Sequence, residues 1–179
     1  MSLDSIAAKV RRCRSCRLSK SRTKAVPGEG SKAGIMLVGE APGKDEDASG
    51  RPFVGRAGKV LDRLLKGIGL SRRQVFITSV IKCRPPKNRV PTAEEIYQCH
   101  PYLEEQIAAI NPKIICPLGG VALKVLLGET SVEKARGRII RFGGRVFIPM
   151  YHPAAVLYGK KKQLLEKDFQ VLKRALQWV

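Results

Sequence analysis

Four cysteines in two separated pairs constrain how this chain can fold. Cys13 and Cys16 form a C-x2-C pair near the N-terminus, and Cys83 and Cys99 form a C-x15-C pair in mid-chain. A C-x2-C pair can place two thiolates on one metal centre from a single turn, whereas the distant pair has to be brought there by folding. The sequence therefore predicts one metal site that ties the N-terminus to the middle of the chain and stabilises the fold when metal binds.

The alternatives for these cysteines are disulfide bonds and buried apolar side chains. Residues 1–12 contain no apolar run of signal-peptide length and no later segment is apolar enough to span a bilayer, so we expect neither secretion nor a disulfide framework. The number of thiolates leaves zinc and iron-sulfur both open, although the wide second pair favours a four-iron, four-sulfur cluster. Cys116 lies in an apolar run and is predicted to be a small buried residue.

Composition indicates a compact protein with a polyanionic partner. The chain has 179 residues, of which 44% are hydrophobic, which suits one domain over residues 1–179. Lys and Arg number 34 against 15 Asp and Glu, a net charge of +19. Nucleic acid is the first candidate partner, and a solvated basic surface is the alternative. The basic clusters are dispersed rather than gathered on one amphipathic segment, so no membrane partner is expected.

Apolar periodicity predicts alternating strands and helices. Strands are predicted at residues 34–39, 75–81, 113–118 and 146–150, the last in a hairpin with residues 139–142. Helices are predicted at residues 3–20, 60–68, 93–110, 121–127 and 163–179, the first containing the C-x2-C pair. This alternation predicts an α/β fold with a mainly parallel sheet covered on both faces. Ligands of such sheets bind beyond the carboxyl ends of the strands.

The loops after these strands are therefore where we expect chemistry. After the first strand come Gly39-Glu-Ala-Pro-Gly-Lys-Asp-Glu-Asp47 and Gly50-Arg-Pro-Phe-Val-Gly55; after the second comes Lys82-Cys-Arg-Pro-Pro-Lys-Asn-Arg89; after the fourth comes Tyr151-His-Pro-Ala-Ala-Val-Leu157. Gly58-Lys59 is followed by Val60, which excludes a nucleoside triphosphate loop. The glycines serve either tight turns or close approach of the backbone to a flat ligand.

Three side chains in these loops are candidates for function. Glu40 directly follows a buried strand, and its alternative role is a helix cap or a salt bridge. Phe53 is either a core side chain or a platform on which a base stacks. His152, which precedes a proline, is either structural or a neutral imidazole that donates a hydrogen bond to an oxygen gaining negative charge.

Together, the four loop motifs in this order and the cysteine tetrad resemble the family 4 uracil-DNA glycosylases, the iron-sulfur branch of their superfamily. The resemblance covers practically the whole chain. It implies a three-layer α/β/α sandwich around a four-stranded parallel sheet, with a structural four-iron, four-sulfur cluster on the tetrad. It also implies an enzyme that flips uracil out of single- or double-stranded DNA and hydrolyses its N-glycosidic bond. We expect a cytoplasmic, nucleoid-associated monomer that initiates base excision repair without a dissociable cofactor.

The same resemblance implies roles for individual residues. His152 would hydrogen-bond the negative charge that develops on uracil O2, and Glu40 would lie near the base and the attacking water. The base would be held by Phe53, which stacks on it, and by Gly39, Ala41, Gly43 and Ser79. The DNA would be contacted by Arg84, Asn88 and Arg89, with Val156 and Leu157 as an apolar wedge that fills the vacated stack.

Ser79 departs from the family pattern. At this position the family has an asparagine whose amide pairs with uracil N3 and O4, whereas a hydroxyl is shorter and lacks the two-pronged geometry. Losing one such pair costs roughly 1 to 3 kcal/mol. The outcomes are a weakened uracil enzyme, which we favour, a shifted base preference, or compensation by water or Asn88. The competing class is a non-catalytic iron-sulfur DNA-binding protein with a decayed pocket; an electron-transfer protein is disfavoured because the tetrad lacks the dense cysteine run of ferredoxins.

Overall fold

The computed structural model describes residues 2–31, 33–157, 159 and 161–178, and within them the strands form a six-stranded sheet. The strands are β1 (Glu29–Gly30), β2 (Ile35–Gly39), β3 (Phe76–Ser79), β4 (Ile114–Pro117), β5 (Ile140–Phe142) and β6 (Arg145–Phe147). Their order across the sheet is β1-β3-β2-β4-β6-β5. The four central strands pair in parallel, and β1 and β5 pair antiparallel at the edges. The predicted four-stranded parallel centre is confirmed, and two antiparallel edge strands extend it.

Eight α-helices are described around this sheet. They are α1 (Leu3–Arg12), α2 (Leu18–Ser21), α3 (Lys44–Ser49), α4 (Arg56–Gly67), α5 (Ala93–Ile110), α6 (Gly120–Leu127), α7 (Val132–Ala135) and α8 (Lys162–Ala175). Short 3-10 turns lie at Arg72–Gln74, Pro86–Asn88, Pro153–Val156 and Leu176–Trp178. The longest helix, α5, begins with a capping box in which the Thr92 hydroxyl and the Glu95 carboxylate each accept the other residue's backbone N–H.

Successive side chains of β2 point to opposite faces of the sheet, and the core is divided into two layers accordingly. Ile35 and Leu37 belong to the layer that contains α4 and α8, whereas Met36 and Val38 belong to the layer that contains α1 and α5. The first layer buries Leu61, Leu65, Leu165, Phe169 and Leu172, and the second buries Ile6, Val10, Leu103, Ile107 and Ala122. Since both faces of β2 are fully buried, the α/β/α arrangement is confirmed and the strand reads as a continuous apolar run.

Several predicted elements change in extent. The helix over residues 93–110 and the hairpin of β5 and β6 are confirmed. The single helix over residues 3–20 is wrong: the backbone at Cys13 leaves helical geometry, at φ −58° and ψ 138°, and helix resumes only at Leu18. Residues 44–49, expected as loop, form α3. The last helix was predicted to residue 179, but α8 ends at Ala175, and Val179 lies outside the described residues.

The described ranges contain no helix with the length and apolar character needed to cross a bilayer.

Gly58, inside α4, lets this helix pack against the loop that carries Phe53. A Cβ at Gly58 would lie 1.8 Å from the Phe53 carbonyl oxygen, which is backbone and has no rotamer to move aside. Gly67, at the end of the same helix, has nothing within 4 Å of an added Cβ. The glycine at position 58 is therefore required by a close approach of two backbone segments.

We predict that Gly58→Ala destabilises the protein by about 1–3 kcal/mol because the Phe53 loop is forced off α4. Gly67→Ala, the matched control in the same helix, removes backbone freedom without a clash and should stabilise by about 0.5–1 kcal/mol. Urea unfolding of both variants measures the two differences. Equal stability of the two variants would contradict the packing described for Gly58.

Candidate active site and cysteine site

A cavity of about 450 Å³ opens at the carboxyl ends of the parallel strands. Its walls come from the loops after β2, β3 and β6, as the sheet topology predicts. The predicted site residues that line it are Glu40, Ala41, Gly43, Phe53, Ser79, Asn88, Arg89, His152 and Leu157. Gly39, Arg84 and Val156 are not among its lining residues. The structure thus brings most of the predicted base-binding and catalytic residues to one cavity.

His152 is held as a neutral imidazole. Its Nδ1 accepts a hydrogen bond from the Ala154 backbone N–H at 3.1 Å, so the ring proton belongs on Nε2. Burial lowers the pKa of His152 to about 4, opposed only in part by the charge of Glu46. At neutral pH the side chain can therefore donate one hydrogen bond from Nε2 without carrying a charge.

Phe53 occupies a strained position beside His152. Its φ of 51° is in the left-handed region that aromatic residues rarely adopt. The two rings are stacked, with centroids 5.4 Å apart and planes 28° apart. A Cβ at Gly39 would lie 2.6 Å from the Phe53 ring, and the Arg72 guanidinium donates to the Phe53 carbonyl at 3.0 Å. Phe53 is therefore both a core side chain and a wall of the cavity, and Gly39 acts by making room for it.

Glu40 and Ser79 supply the other polar side chains of the cavity at the ends of β2 and β3. Burial raises the pKa of Glu40, and within the described residues its carboxylate has no hydrogen-bond or ion-pair partner. Ser79 is 5% exposed, and its hydroxyl likewise has no partner among these residues. The Gly39 and Glu40 carbonyls accept from the backbone N–H groups of Val80 and Ile81 at 2.9 and 3.2 Å. Both groups are thus aimed into the cavity by rigid strand ends.

Glu46 organises both glycine-rich loops, a role that the sequence analysis missed. Its carboxylate accepts from the backbone N–H groups of Gly43 at 3.0 Å, Val54 at 2.8 Å and Gly55 at 2.9 Å. The signal in the sequence was weak: Glu46 is the third residue of α3 behind Gly43, whereas a capping box normally opens with Ser or Thr. Glu46 therefore shapes the cavity from behind.

The loop after β3 carries a hydrogen-bonded set of polar residues at the rim of the cavity. Arg84 donates to the Asn88 amide oxygen at 2.7 Å, so this amide is already engaged. Arg89 donates to Glu95 at 2.7 and 2.8 Å, and these hydrogen bonds lower the pKa of Glu95 to about 2. Arg17, beside Cys16, pairs with the same carboxylate at 3.0 Å. The rim of the cavity is thus joined to the N-terminal segment.

Val156 and Leu157, predicted together as a wedge, lie in different surroundings. Leu157 lines the cavity that holds His152. Val156 instead lines a surface groove between α4 and α8 and packs on the core. The 3-10 turn at Pro153–Val156 turns consecutive side chains to different sides.

The four cysteines of the tetrad line a second cavity, next to Arg22, Lys82 and Tyr102. N–H groups point at three of the sulfur atoms: the Ser15 backbone at Cys13, 3.5 Å; the Arg22 guanidinium at Cys83, 3.0 Å; and the Lys82 backbone at Cys99, 3.2 Å. Within the described residues, which include all five cysteines, no disulfide forms. Cys116 is fully buried in β4, away from this cavity, as predicted.

The four thiols at this cavity have the donor chemistry of a metal or cluster site, although their spacing is not that of a bound ion. Four sulfur donors at one cavity, with N–H groups directed at them, are what a thiolate site requires, since such hydrogen bonds stabilise the anionic sulfur. Burial raises the pKa of Cys99 to about 11, and metal binding to a thiol displaces its proton. In the described part of the chain, no group of three or more His, Cys, Asp or Glu side chains meets the geometry of a bound metal ion.

Lys82 is a second residue that the sequence analysis missed as a site residue. It lies fully buried between the two cavities and lines the one that holds the cysteines. Burial lowers the pKa of its ammonium to about 8.

The first cavity combines the elements of a hydrolytic site for a flat ligand. It holds an uncharged hydrogen-bond donor in His152, an aromatic wall in Phe53 and a carboxylate without a partner in Glu40. Such a set can stack a ring, stabilise negative charge that leaves with it, and orient water toward the atom left behind.

Comparison with known proteins gives one consistent result. Residues 27–179 match the Uracil DNA glycosylase superfamily. The chain is 50% identical to the type-4 uracil-DNA glycosylase of Saccharolobus solfataricus, over 97% of this chain and 86% of that protein. It is 47% identical to that of Archaeoglobus fulgidus, over 94% and 90% of the two chains. It is 40% identical to that of Thermotoga maritima, over 99% and 94%.

Proposed function

Because the chain belongs to the uracil-DNA glycosylase superfamily and to its type-4 branch, we propose that it hydrolyses the N-glycosidic bond of uracil in DNA and so initiates base excision repair. The observation that carries the proposal is the neutral His152 facing the same cavity as Phe53, Glu40 and Ser79. We propose further that residues 1–179 act as one domain and as an intracellular monomer.

The leaving base gains negative charge and the sugar gains positive charge as the bond breaks. His152 donates its Nε2 proton as a hydrogen bond to uracil O2, which stabilises the anion without transferring a full proton. Phe53 stacks on the flipped ring, while Ala41 and Gly43 line its edge, with Gly39 leaving room for Phe53. Glu40, whose carboxylate has no partner within the described residues, orients the attacking water, and nearby DNA phosphates favour the cationic sugar.

The rim of the cavity is proposed to hold the DNA. Asn88 and Arg89 lie at the cavity, and Arg84 positions Asn88 through its 2.7 Å hydrogen bond. Leu157, which lines the cavity, is the better candidate for the wedge, with Val156 supporting it from the core side. The net charge of +19 supports a long polyanion, single- or double-stranded, as partner.

Cys13, Cys16, Cys83 and Cys99 are proposed to hold a structural four-iron, four-sulfur cluster, with zinc as the alternative. These four residues would hold it, and it would cross-link the N-terminal segment to the loop after β3 and to α5, outside the hydrolytic step. Arg22 and the backbone N–H groups at the cavity would stabilise the thiolates.

We expect the protein to release free uracil from an oligonucleotide that contains deoxyuridine. His152→Ala should slow release by about 100-fold or more because the developing anion loses its donor. His100→Ala, at a half-buried histidine that pairs with Glu104 and does not line the cavity, is the control and should leave the rate unchanged. The wild-type rate should fall as the pH is lowered toward 4, where His152 gains a proton, and protonation of Glu40, whose pKa burial raises, should add to the loss. Single-turnover assays measure all three, and an equal loss in both variants would argue against the role of His152.

Ser79→Asn should raise uracil release by about tenfold because a side-chain amide replaces one rotatable hydroxyl. Ser79→Ala should lower it. The same variants are assayed on a panel of uracil, hypoxanthine, xanthine and 5-substituted uracils. A lower uracil rate for the asparagine variant would indicate a pocket built around serine. No released base from wild-type protein with intact metal and DNA binding would favour the non-catalytic DNA-binding alternative.

Purified protein should be brown and should contain iron and acid-labile sulfide in equal amounts. Cys83→Ala should abolish the colour and destabilise the fold, since a ligand that joins distant segments is lost. Cys116→Ala is the matched control and should keep the colour, because Cys116 is buried away from the tetrad. If the purified wild-type protein is colourless and contains zinc, the site is a zinc site and the cluster assignment is wrong.

A further inference from the structure

Lys82 is the largest of the fully buried side chains described, and its ammonium is surrounded by uncharged oxygens. It donates to the Thr78 hydroxyl at 2.7 Å, the Ser79 carbonyl at 2.6 Å and the Gln106 amide oxygen at 2.8 Å. No carboxylate pairs with it in the part of the chain that the structure describes. A buried cation without an anionic partner costs several kcal/mol. Its compensating negative charge therefore has to come from something other than a neighbouring acidic side chain.

The cysteine cavity is where that charge lies. Lys82 is among the residues that line this cavity and is not among those that line the cavity that holds His152. Its backbone N–H donates to the Cys99 sulfur at 3.2 Å, and the next residue is Cys83. Four thiolates outweigh the positive charge of either a zinc ion or a four-iron, four-sulfur core, so the loaded site is anionic. Arg22, which donates to Cys83 at 3.0 Å, is the second cation there.

The same ammonium also holds the end of β3. The Ser79 carbonyl that it binds belongs to the residue whose side chain enters the first cavity. Gln106 anchors the other side: its amide nitrogen donates to the Pro27 carbonyl, and the Thr78 hydroxyl lies 3.3 Å from the same oxygen. The Ser79 carbonyl at the end of β3 is thus held by a buried ammonium that is itself fixed from the other side.

We propose that Lys82 is a positioning residue through which the anionic metal site at the four cysteines holds the Ser79 end of β3 in place. This inference rests on the proposed metal site but requires neither iron rather than zinc nor uracil as the substrate. Metal loss and a change in the base-binding cavity are then linked by one side chain.

The test compares Lys82→Met, which removes the charge at similar volume, with Thr78→Val, which removes one acceptor of the same ammonium but keeps the charge. Metal transfer to an excess of chelator should be about tenfold faster in the methionine variant, because an anionic site loses a buried cation. In the valine variant it should stay within about twofold of the wild type. Equal acceleration in both variants would assign the effect to packing and overturn the proposal.

Backbone hydrogen exchange supplies the second readout. Metal removal from wild-type protein should speed exchange at residues 79–83 more than at β4, and in metal-bound Lys82→Met those amides should already exchange fast. Unchanged exchange at residues 79–83 on metal removal overturns the proposal, and this wild-type measurement stands even if the methionine variant does not fold. Uracil release is not a readout of this test. A protein without glycosylase activity can therefore still support the proposal for Lys82, and an active glycosylase can still contradict it.

Discussion

The shape of the cavity that holds His152 depends on the hydrogen bonds that the Glu46 carboxylate accepts. Its two oxygens accept from three backbone N–H groups in two loops that are separated along the chain, at 2.8 to 3.0 Å. Hydrogen bonds to a charged acceptor are about twice as strong as neutral ones, so one side chain can hold both loops against their own conformational freedom. The left-handed backbone of Phe53, adjacent to Val54, persists because this carboxylate and Arg72 fix it from both sides.

The layers of the fold and most residues of the cavity could be predicted from the sequence. The layers follow from the periodicity of apolar residues, and the cavity residues follow from the positions of the strand ends. Runs such as residues 34–39 could only be buried strands, and parallel pairing then brings Glu40, Ser79 and His152 to one edge. The supporting residues were not predictable in the same way. Arg72, Glu46 and Lys82 each make several hydrogen bonds from one side chain, largely to backbone groups, and such contacts leave no periodic pattern in the sequence. The break at Cys13 was missed because a helix and a metal-binding turn share the same three-residue spacing.

The segment from Thr78 to Cys83 serves both cavities within six residues. Strand β3 delivers the Ser79 side chain to one cavity, and the chain reaches the sulfur of Cys83 four residues later. A strand alternates its side chains, but the residues after it are free to turn, and Lys82 uses that freedom to fold its ammonium back under the strand end. The proposed metal site and the proposed base site therefore share one short stretch of backbone.

Selectivity for the base then depends on rigidity more than on the number of polar groups. The Asn88 amide oxygen is engaged by Arg84, which leaves its NH2 group as a donor at the cavity, whereas the Ser79 hydroxyl rotates and can either donate or accept. A rotatable group discriminates only when its own backbone is fixed and the ring it meets is fixed as well. In the proposed complex Phe53 and His152, which stack on each other, would fix the ring, and the Lys82 ammonium holds the Ser79 carbonyl. If Ser79 reads the base as proposed, its precision would depend on how firmly the buried Lys82 ammonium holds the end of β3.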